Sequence, residues 1–183
     1  YPNLINFFSE NKIEIEKSDM SFSVTVENSD LEYCGKGLGG IFSNKKNLFN
    51  PKFLKMFFEI LSFYKNCEKI EIKKINSITL GEYLKEIKIS EYFVNYHIIP
   101  MVSAIWSMPP YEAKQMPLSF FLSFFKNHGL FKIKDRPQWF TVANRSKTYV
   151  DKIIGQVSGE HFKNYNINKI TRNDLGVKIF YGE

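Results

Sequence analysis

Apolar positions along the chain change from a helical to an alternating spacing and back, and the changes mark out the elements. Leu4 to Phe8 fall as on a short helix, which Asn11 and Lys12 would close before an extended stretch at Ile13 and Ile15. Phe22, Val24 and Val26 then alternate with Ser23, Thr25 and Glu27; Asn28-Ser29-Asp30 supplies a turn and Leu31 to Cys34 returns, the pattern of a β-hairpin. Gly35 to Gly40 predicts a loop. Asn50-Pro51 is a cap followed by a proline at the first helical position, and Phe53, Leu54, Phe57, Phe58, Leu61 and Tyr64 recur behind it at helical spacing. Glu68 to Asn76 alternates charged residues with Ile and is ambiguous between helix end, strand and loop.

Thr79 and Glu82 form a capping box for a short helix through about Ile87, and Ser90 caps a further one from Glu91 into Trp106. Pro100 removes a backbone donor inside that run and predicts a kink or a division. Pro109-Pro110 opens another short helix. Pro117 opens the most apolar one, Leu118 to Asn127, whose phenylalanines occupy more than one face and predict a helix surrounded by protein, with Gly129 as its stop. Gln138 to Val142 reads as a strand, Ser146 as the cap of a helix carrying Tyr149, Val150, Ile153 and Ile154, and Tyr165–Thr171 with Val177–Tyr181 as a final hairpin. The order predicts an α+β fold, antiparallel or mixed strands with a helical cluster. A lone two-stranded hairpin is not a stable sheet, so the last one is expected to pair with strands from elsewhere.

Composition narrows the function classes. The net charge of +6 comes from 22 Lys and only three Arg, Arg136, Arg145 and Arg172, in separate segments. Base and phosphate readers favour the bidentate Arg fork, so no nucleic-acid partner is expected. A membrane surface is left open as a partner. Cys34 and Cys67 have no Cys-x-x-Cys and no His at ligand spacing, so no metal site is expected and a reduced, cytoplasmic setting fits. No apolar stretch is long enough to span a bilayer, and no signal-peptide pattern opens the chain.

No complete cofactor or catalytic motif is present. Gly35-x-Gly37-x-Gly39-Gly40 lacks the flanking strand and crossover helix of a dinucleotide site and reads as a turn. His97, His128 and His161 sit in unrelated contexts without a nucleophile elbow. His97 reads as a partly buried hydrogen-bonding residue, and His128 as either a helix C-terminal cap or a cavity-lining residue. Small residues Ser103, Ala104 and Ser107 flank Met101 and Trp106, which suits either tight helix packing or the wall of a pocket. Asp135-Arg136-Pro137-Gln138-Trp139 places an ion pair and a tryptophan at a proline-fixed turn, a structural corner or a pocket edge.

Several strings together carry a family resemblance. They are Tyr1-Pro2-Asn3-Leu4, Ser18-Asp19-Met20-Ser21-Phe22-Ser23, Leu80-Gly81-Glu82-Tyr83-Leu84, and Pro100-Met101 with Ala104-Ile105-Trp106-Ser107 and Pro109-Pro110. Phe124-Phe125 with Asn127-His128-Gly129-Leu130, Asp135-Arg136-Pro137-Gln138-Trp139, and Ser146-x-x-Tyr149-Val150 continue the series. The chain resembles bacterial predicted NAD/FAD-binding proteins similar to flavin-containing amine oxidases and phytoene-desaturase-like oxidoreductases. The resemblance implies the central portion of an FAD-dependent enzyme that removes hydride from a C–N or C–C bond. Residues 1–142 would be the substrate-side domain and 143–183 a helix and hairpin of the FAD-binding domain. The dinucleotide loop would lie before Tyr1 and a second flavin-contacting segment beyond Glu183, so this portion alone is expected to be inactive and to bind no FAD tightly.

One cofactor contact carries over: Ile167-Asn168-Lys169-Ile170 matches a Val-x-x-Ile pattern that lies along the adenine, making Ile167 the cofactor-binding candidate. Met20, Phe22, Met101, Ile105, Trp106, His128 and Trp139 are the candidate substrate-pocket residues, and their character suggests an apolar small-molecule substrate. No catalytic residue is assigned, because in such enzymes the flavin carries the chemistry. Where the family often has Gly-Gly-Ser, this chain has Asn144-Arg145-Ser146. The rival expectation is a non-catalytic interaction module derived from the same scaffold.

Overall fold

Asn50 begins the main structural run as its residues dictate. Its side-chain oxygen accepts from the Lys52 and Phe53 backbone N–H groups, and Pro51 follows at a position where a missing donor costs nothing. The helix it opens, α3, runs Pro51–Lys69 and buries Phe53, Met56, Phe63, Tyr64 and Cys67 on one side. A computed structural model describes residues 1–75, 77–133 and 135–182. Before α3 come α1 (Pro2–Glu10), β1 (Ile15–Ser18), β2 (Ser23–Thr25), β3 (Glu32–Cys34), α2 (Gly37–Ile41) and a 3-10 turn at Lys45–Phe49. After it come a 3-10 turn at Ile72–Lys74, α4 (Leu80–Glu86), α5 (Glu91–Phe93), a π-helical turn at Val94–Ile98, α6 (Ile99–Trp106), α7 (Pro110–Gln115) and α8 (Leu118–Asn127). The chain ends through β4 (Trp139–Val142), α9 (Lys147–Gln156), β5 (Ile167–Asn173) and β6 (Gly176–Tyr181).

The described residues are α+β, with helices predominating and three separate two-stranded pairs, β1-β4, β2-β3 and β5-β6. β2 and β3 pair antiparallel with Ser23 opposite Cys34, and the Thr79/Glu82 capping box is complete. The ambiguous stretch after Glu68 divides into the end of α3 and a 3-10 turn; Asn76, its last residue, lies outside the described residues.

Three expectations are corrected, and a fourth, at Pro100, takes a definite form. The glycine run is not a loop throughout: α2 forms within it, because Gly40 can sit where a Cβ would lie 2.7 Å from the Cys34 carbonyl oxygen. The division expected at Pro100 is present: the run from Glu91 to Trp106 comprises α5, a π-helical turn and α6, which opens at Ile99-Pro100. Phe93, Val94, Ile98 and Ile99 all keep right-handed helical angles, and a π-helical turn just before the proline absorbs the change of hydrogen-bond register. α8 buries Leu118, Phe121, Leu122 and Phe125 but leaves Phe120 half-exposed, so it is not enclosed on all sides. Ser146 precedes α9 without capping it through its side chain.

Two compact units result: residues 17–140, and residues 1–16 with 141–183. The second boundary lies beside the expected one at Val142, but the first sixteen residues group with the C-terminal segment. Local contacts explain this: Phe8 packs its ring on Tyr149 at 5.4 Å, Ala143 N–H donates to the Glu14 carbonyl, and Lys152 Nζ donates to the Lys12 carbonyl. Within 17–140 a single aromatic-rich core runs from Val24 to Phe131, with Phe53, Phe93, Phe121 and Phe125 fully buried. Each such ring contributes about 1.5–3 kcal/mol of transfer free energy. Glu59 on α3 accepts from the Ser90 backbone N–H and hydroxyl, which fixes the start of α5 against α3.

Candidate functional site

A cleft of about 210 Å³ in the 17–140 unit is lined by ten residues from three segments: Ser18-Asp19-Met20, His128-Gly129-Leu130 and Arg136-Pro137-Gln138-Trp139. Each wall has a local cause. α8 ends at His128, whose Nδ1–H donates to the Phe124 carbonyl at 2.8 Å. Gly129 follows at φ +64, the left-handed stop that glycine takes most cheaply, with Pro137 packed so close that a Cβ would meet its ring at 3.1 Å. The third segment is tied to the first by the Gln138 side-chain amide, which donates to the Ser18 carbonyl at 3.1 Å. Arg136 donates through Nε to the Lys132 carbonyl at 2.8 Å, and the expected Asp135–Arg136 ion pair does not form.

Aromatic rings extend from this cleft into the helices. Trp139 stacks on His128 with ring centroids 5.9 Å apart and planes 12° from parallel; His128 stacks on Phe124 at 4.0 Å, and Phe124 meets Trp106 at 4.6 Å. His128 thus follows the end of α8 as its C-cap residue and also lines the cleft. Of the candidate pocket residues, Met20, His128 and Trp139 line the cleft, and Trp106 joins the same aromatic row two rings further in, behind Phe124.

Phe22, Met101 and Ile105 are placed differently. Phe22 presents its edge to His97 at 6.2 Å, Met101 is buried with its sulfur 3.7 Å from the Tyr64 hydroxyl, and Ile105 packs against the core. Two larger clefts, of about 470 and 460 Å³, contain none of the candidates. Ile167 lies in the other unit, exposed at the start of β5, where a register shift between Ile167 and Lys169 interrupts the pairing with β6.

The group that sequence reasoning undervalued is His97, buried within the π-helical turn. Tyr33 Oη lies 2.9 Å from Nδ1 and Tyr64 Oη 2.9 Å from Nε2. Tyr33 gives its one proton to the Tyr96 carbonyl at 2.8 Å, so Nδ1 must carry the imidazole proton and Nε2 accepts from Tyr64. Burial lowers the imidazole pKa to about 3, and burial also raises both tyrosines well above their ordinary value. The arrangement is a neutral, fully satisfied polar pin in the core. Its only sequence signal is a histidine inside an apolar helical run. Ser103, one of the small residues beside Met101, buries its hydroxyl without a hydrogen-bond partner.

Cys34 and Cys67 are both free thiols, and burial pushes Cys67 up to about 12. No cluster of three His, Cys, Asp or Glu side chains that could hold a metal occurs among the described residues, and no helix among them is long and apolar enough to cross a membrane. No protein-family model matches the chain, and no curated protein matches it.

Proposed function

We propose that the chain is the substrate-binding portion of an FAD-dependent oxidoreductase, of the amine-oxidase and desaturase kind, acting on a mainly apolar substrate. One observation carries the reading. All ten residues lining the cleft belong to three of the strings on which the family resemblance rests, although those strings are more than a hundred residues apart at their extremes. A packing role alone gives no reason for strings so separated to meet around one cavity with a methionine, a histidine and a tryptophan in its wall.

A second observation supports it. Asn144 and Arg145 have φ +60 and +72, left-handed angles that a non-glycine residue adopts at a cost, at the two positions where the resembling family often carries glycine.

In this reading a flavin, when bound, would supply the hydride acceptor, and this chain's residues would bind and orient the substrate. Trp139 and Met20 supply apolar, polarisable side chains to a wall that also carries Asp19, Arg136 and Gln138, and His128 is held in one orientation by its bond to the Phe124 carbonyl. Ile167 is the one residue assigned to the adenine, and it stands half-exposed at the start of β5 beside a strand irregularity. The described residues provide no glycine-rich phosphate cradle of the G-x-G-x-x-G type, so the reading requires phosphate-binding residues outside this chain.

Tryptophan fluorescence tests the cleft directly. Titration with a long-chain fatty acid should give a saturable change that Trp139→Phe abolishes or diminishes severalfold, while a short polar amine gives none. A response to neither ligand, together with no flavin absorbance in any longer purified protein that contains the chain, would instead favour a non-catalytic module.

A further inference from the structure

The positive charge of the chain is unevenly placed. Residues 33–58 form the longest stretch without Asp or Glu and contain five lysines; outside it, 20 basic residues face 19 acidic ones, so nearly the whole net charge of +6 resides there. The same stretch exposes large apolar side chains: Phe49 is 86% exposed, Leu38 65% and Phe58 64%, with Leu48 close to half. Exposed phenylalanines among exposed lysines call for a partner that is both apolar and anionic.

The segment is one local structure. Phe42, just after α2, packs its ring on Phe53 and Phe57 of α3 at 6.0 and 5.6 Å. Between them the Asn47 amide donates to the Glu32 and Ile41 carbonyls, and Asn50 caps α3 directly after Phe49. On α3, Leu54, Phe58 and Leu61 recur at helical spacing on the flank turned away from buried Met56 and Cys67. Three lysines have acidic neighbours, Lys36 with Asp19, Lys46 with Asp30 and Lys55 with Glu59. The first two pairs are well exposed on both sides and the third is long at 3.9 Å, so they hold these ammonium groups weakly and leave them exchangeable. Lys45 and Lys52 have no acidic partner among the described residues.

We propose that α2, the 3-10 turn at Lys45–Phe49 and the first half of α3 form a docking surface for an anionic lipid bilayer, with Phe49 and Phe58 entering the headgroup region and the lysines facing lipid phosphates. Charge complementarity selects this occupant. All five cations are Lys, compact charges on flexible stems that suit a diffuse anionic surface, whereas a folded protein or nucleic-acid partner would favour the directed Arg fork. Exposed Phe and Leu have no role against a phosphate backbone but gain free energy on entering a lipid interface. The surface is independent of the flavin reading.

Flotation of the 183-residue chain with vesicles tests it, using pure phosphatidylcholine against equimolar phosphatidylcholine and phosphatidylserine. The chain should float with the phosphatidylserine vesicles and not with the neutral ones. A lysine held near an anionic surface multiplies partitioning about fivefold, so Lys45→Gln, Lys46→Gln, Lys52→Gln and Lys55→Gln combined should lose well over about tenfold. Phe49→Ser with Phe58→Ser should lose binding to a similar degree, while Leu175→Ser, a still more exposed apolar site in the β5–β6 turn, should leave it unchanged. All the substituted side chains are solvent-facing, and an unchanged melting temperature checks that the fold survives. Phe49→Trp adds a direct readout, a blue shift of emission on adding the phosphatidylserine vesicles. No flotation, equal flotation with both vesicle types, or an unshifted Phe49→Trp emission overturns the proposal. So does a vesicle-free, concentration-dependent dimer in sedimentation velocity that Phe49→Ser abolishes, which would assign the surface to a second copy of the chain.

Discussion

His97 shows how a single buried polar residue couples stability to acidity. With its folded pKa near 3 and an ordinary value of 6.5 when unfolded, the unfolded chain binds more protons between those limits, so stability rises with pH across that window and falls on acidification. The loss approaches about 1.4 kcal/mol per pH unit and amounts to about 1.6 kcal/mol between pH 6.5 and 5, before most carboxylates titrate. Urea unfolding at those two pH values should show that drop in the native chain and little of it in His97→Gln, which keeps a donor and an acceptor but cannot charge. Equal slopes in the two proteins would show that His97 is already accessible to protons in the folded state. Arg145 poses a backbone problem of the same scale. At φ +72 its Cβ opposes the local conformation, so Arg145→Gly should stabilise by up to about 1 kcal/mol, net of the added freedom of the unfolded chain, and Arg145→Val should destabilise by about as much. Thermal melts of the two variants should therefore shift in opposite directions.

Helix starts were the most legible feature in the sequence, because a cap is a short-range bond between residues two or three apart. Asn50 makes two such bonds at the head of a nineteen-residue helix, and Asn50→Ala should cost about 1 kcal/mol of unfolding free energy, measured by chemical denaturation. Thr79 with Glu82 was readable for the same reason. The π-helical turn before Pro100 was not, since it arises from a proline, the burial of Val94, His97 and Ile98, and two tyrosine partners on distant elements. Met101 and Phe22 illustrate the corresponding difficulty for a cavity. Both are apolar residues in motif strings, and only tertiary packing determines that Phe22 meets buried His97 and Met101 meets Tyr64 while Met20, His128 and Trp139 line the cleft. The α2 helix was missed because its glycines signal freedom, whereas the close approach of Gly40 to the Cys34 carbonyl is a tertiary requirement.

At the scale of the whole molecule, stabilising burial is concentrated in one of the two units. Every residue of the main core cluster falls between Val24 and Phe131, inside residues 17–140. In the other unit α9 buries no residue and every residue of β6 is exposed, leaving Phe8 and Ile13 as its buried apolar residues. A two-stranded hairpin with both faces in solvent contributes little independent stability, so the cooperative transition should belong to residues 17–140. Phe121→Ala, which empties a fully buried ring site, should cost about 3–5 kcal/mol, and should do so equally in the 183-residue chain and in a 17–140 segment. Calorimetry of the four proteins distinguishes the cases. If the 17–140 segment melts without a cooperative transition, residues 1–16 or 141–183 must complete its core, and the exposed apolar faces of β5 and β6 could not then be treated as bystanders to its stability. If it retains a sharp transition and the same Phe121→Ala penalty, the aromatic core is self-sufficient, and the cleft at Met20, His128 and Trp139, which lies wholly inside that segment, should survive with it.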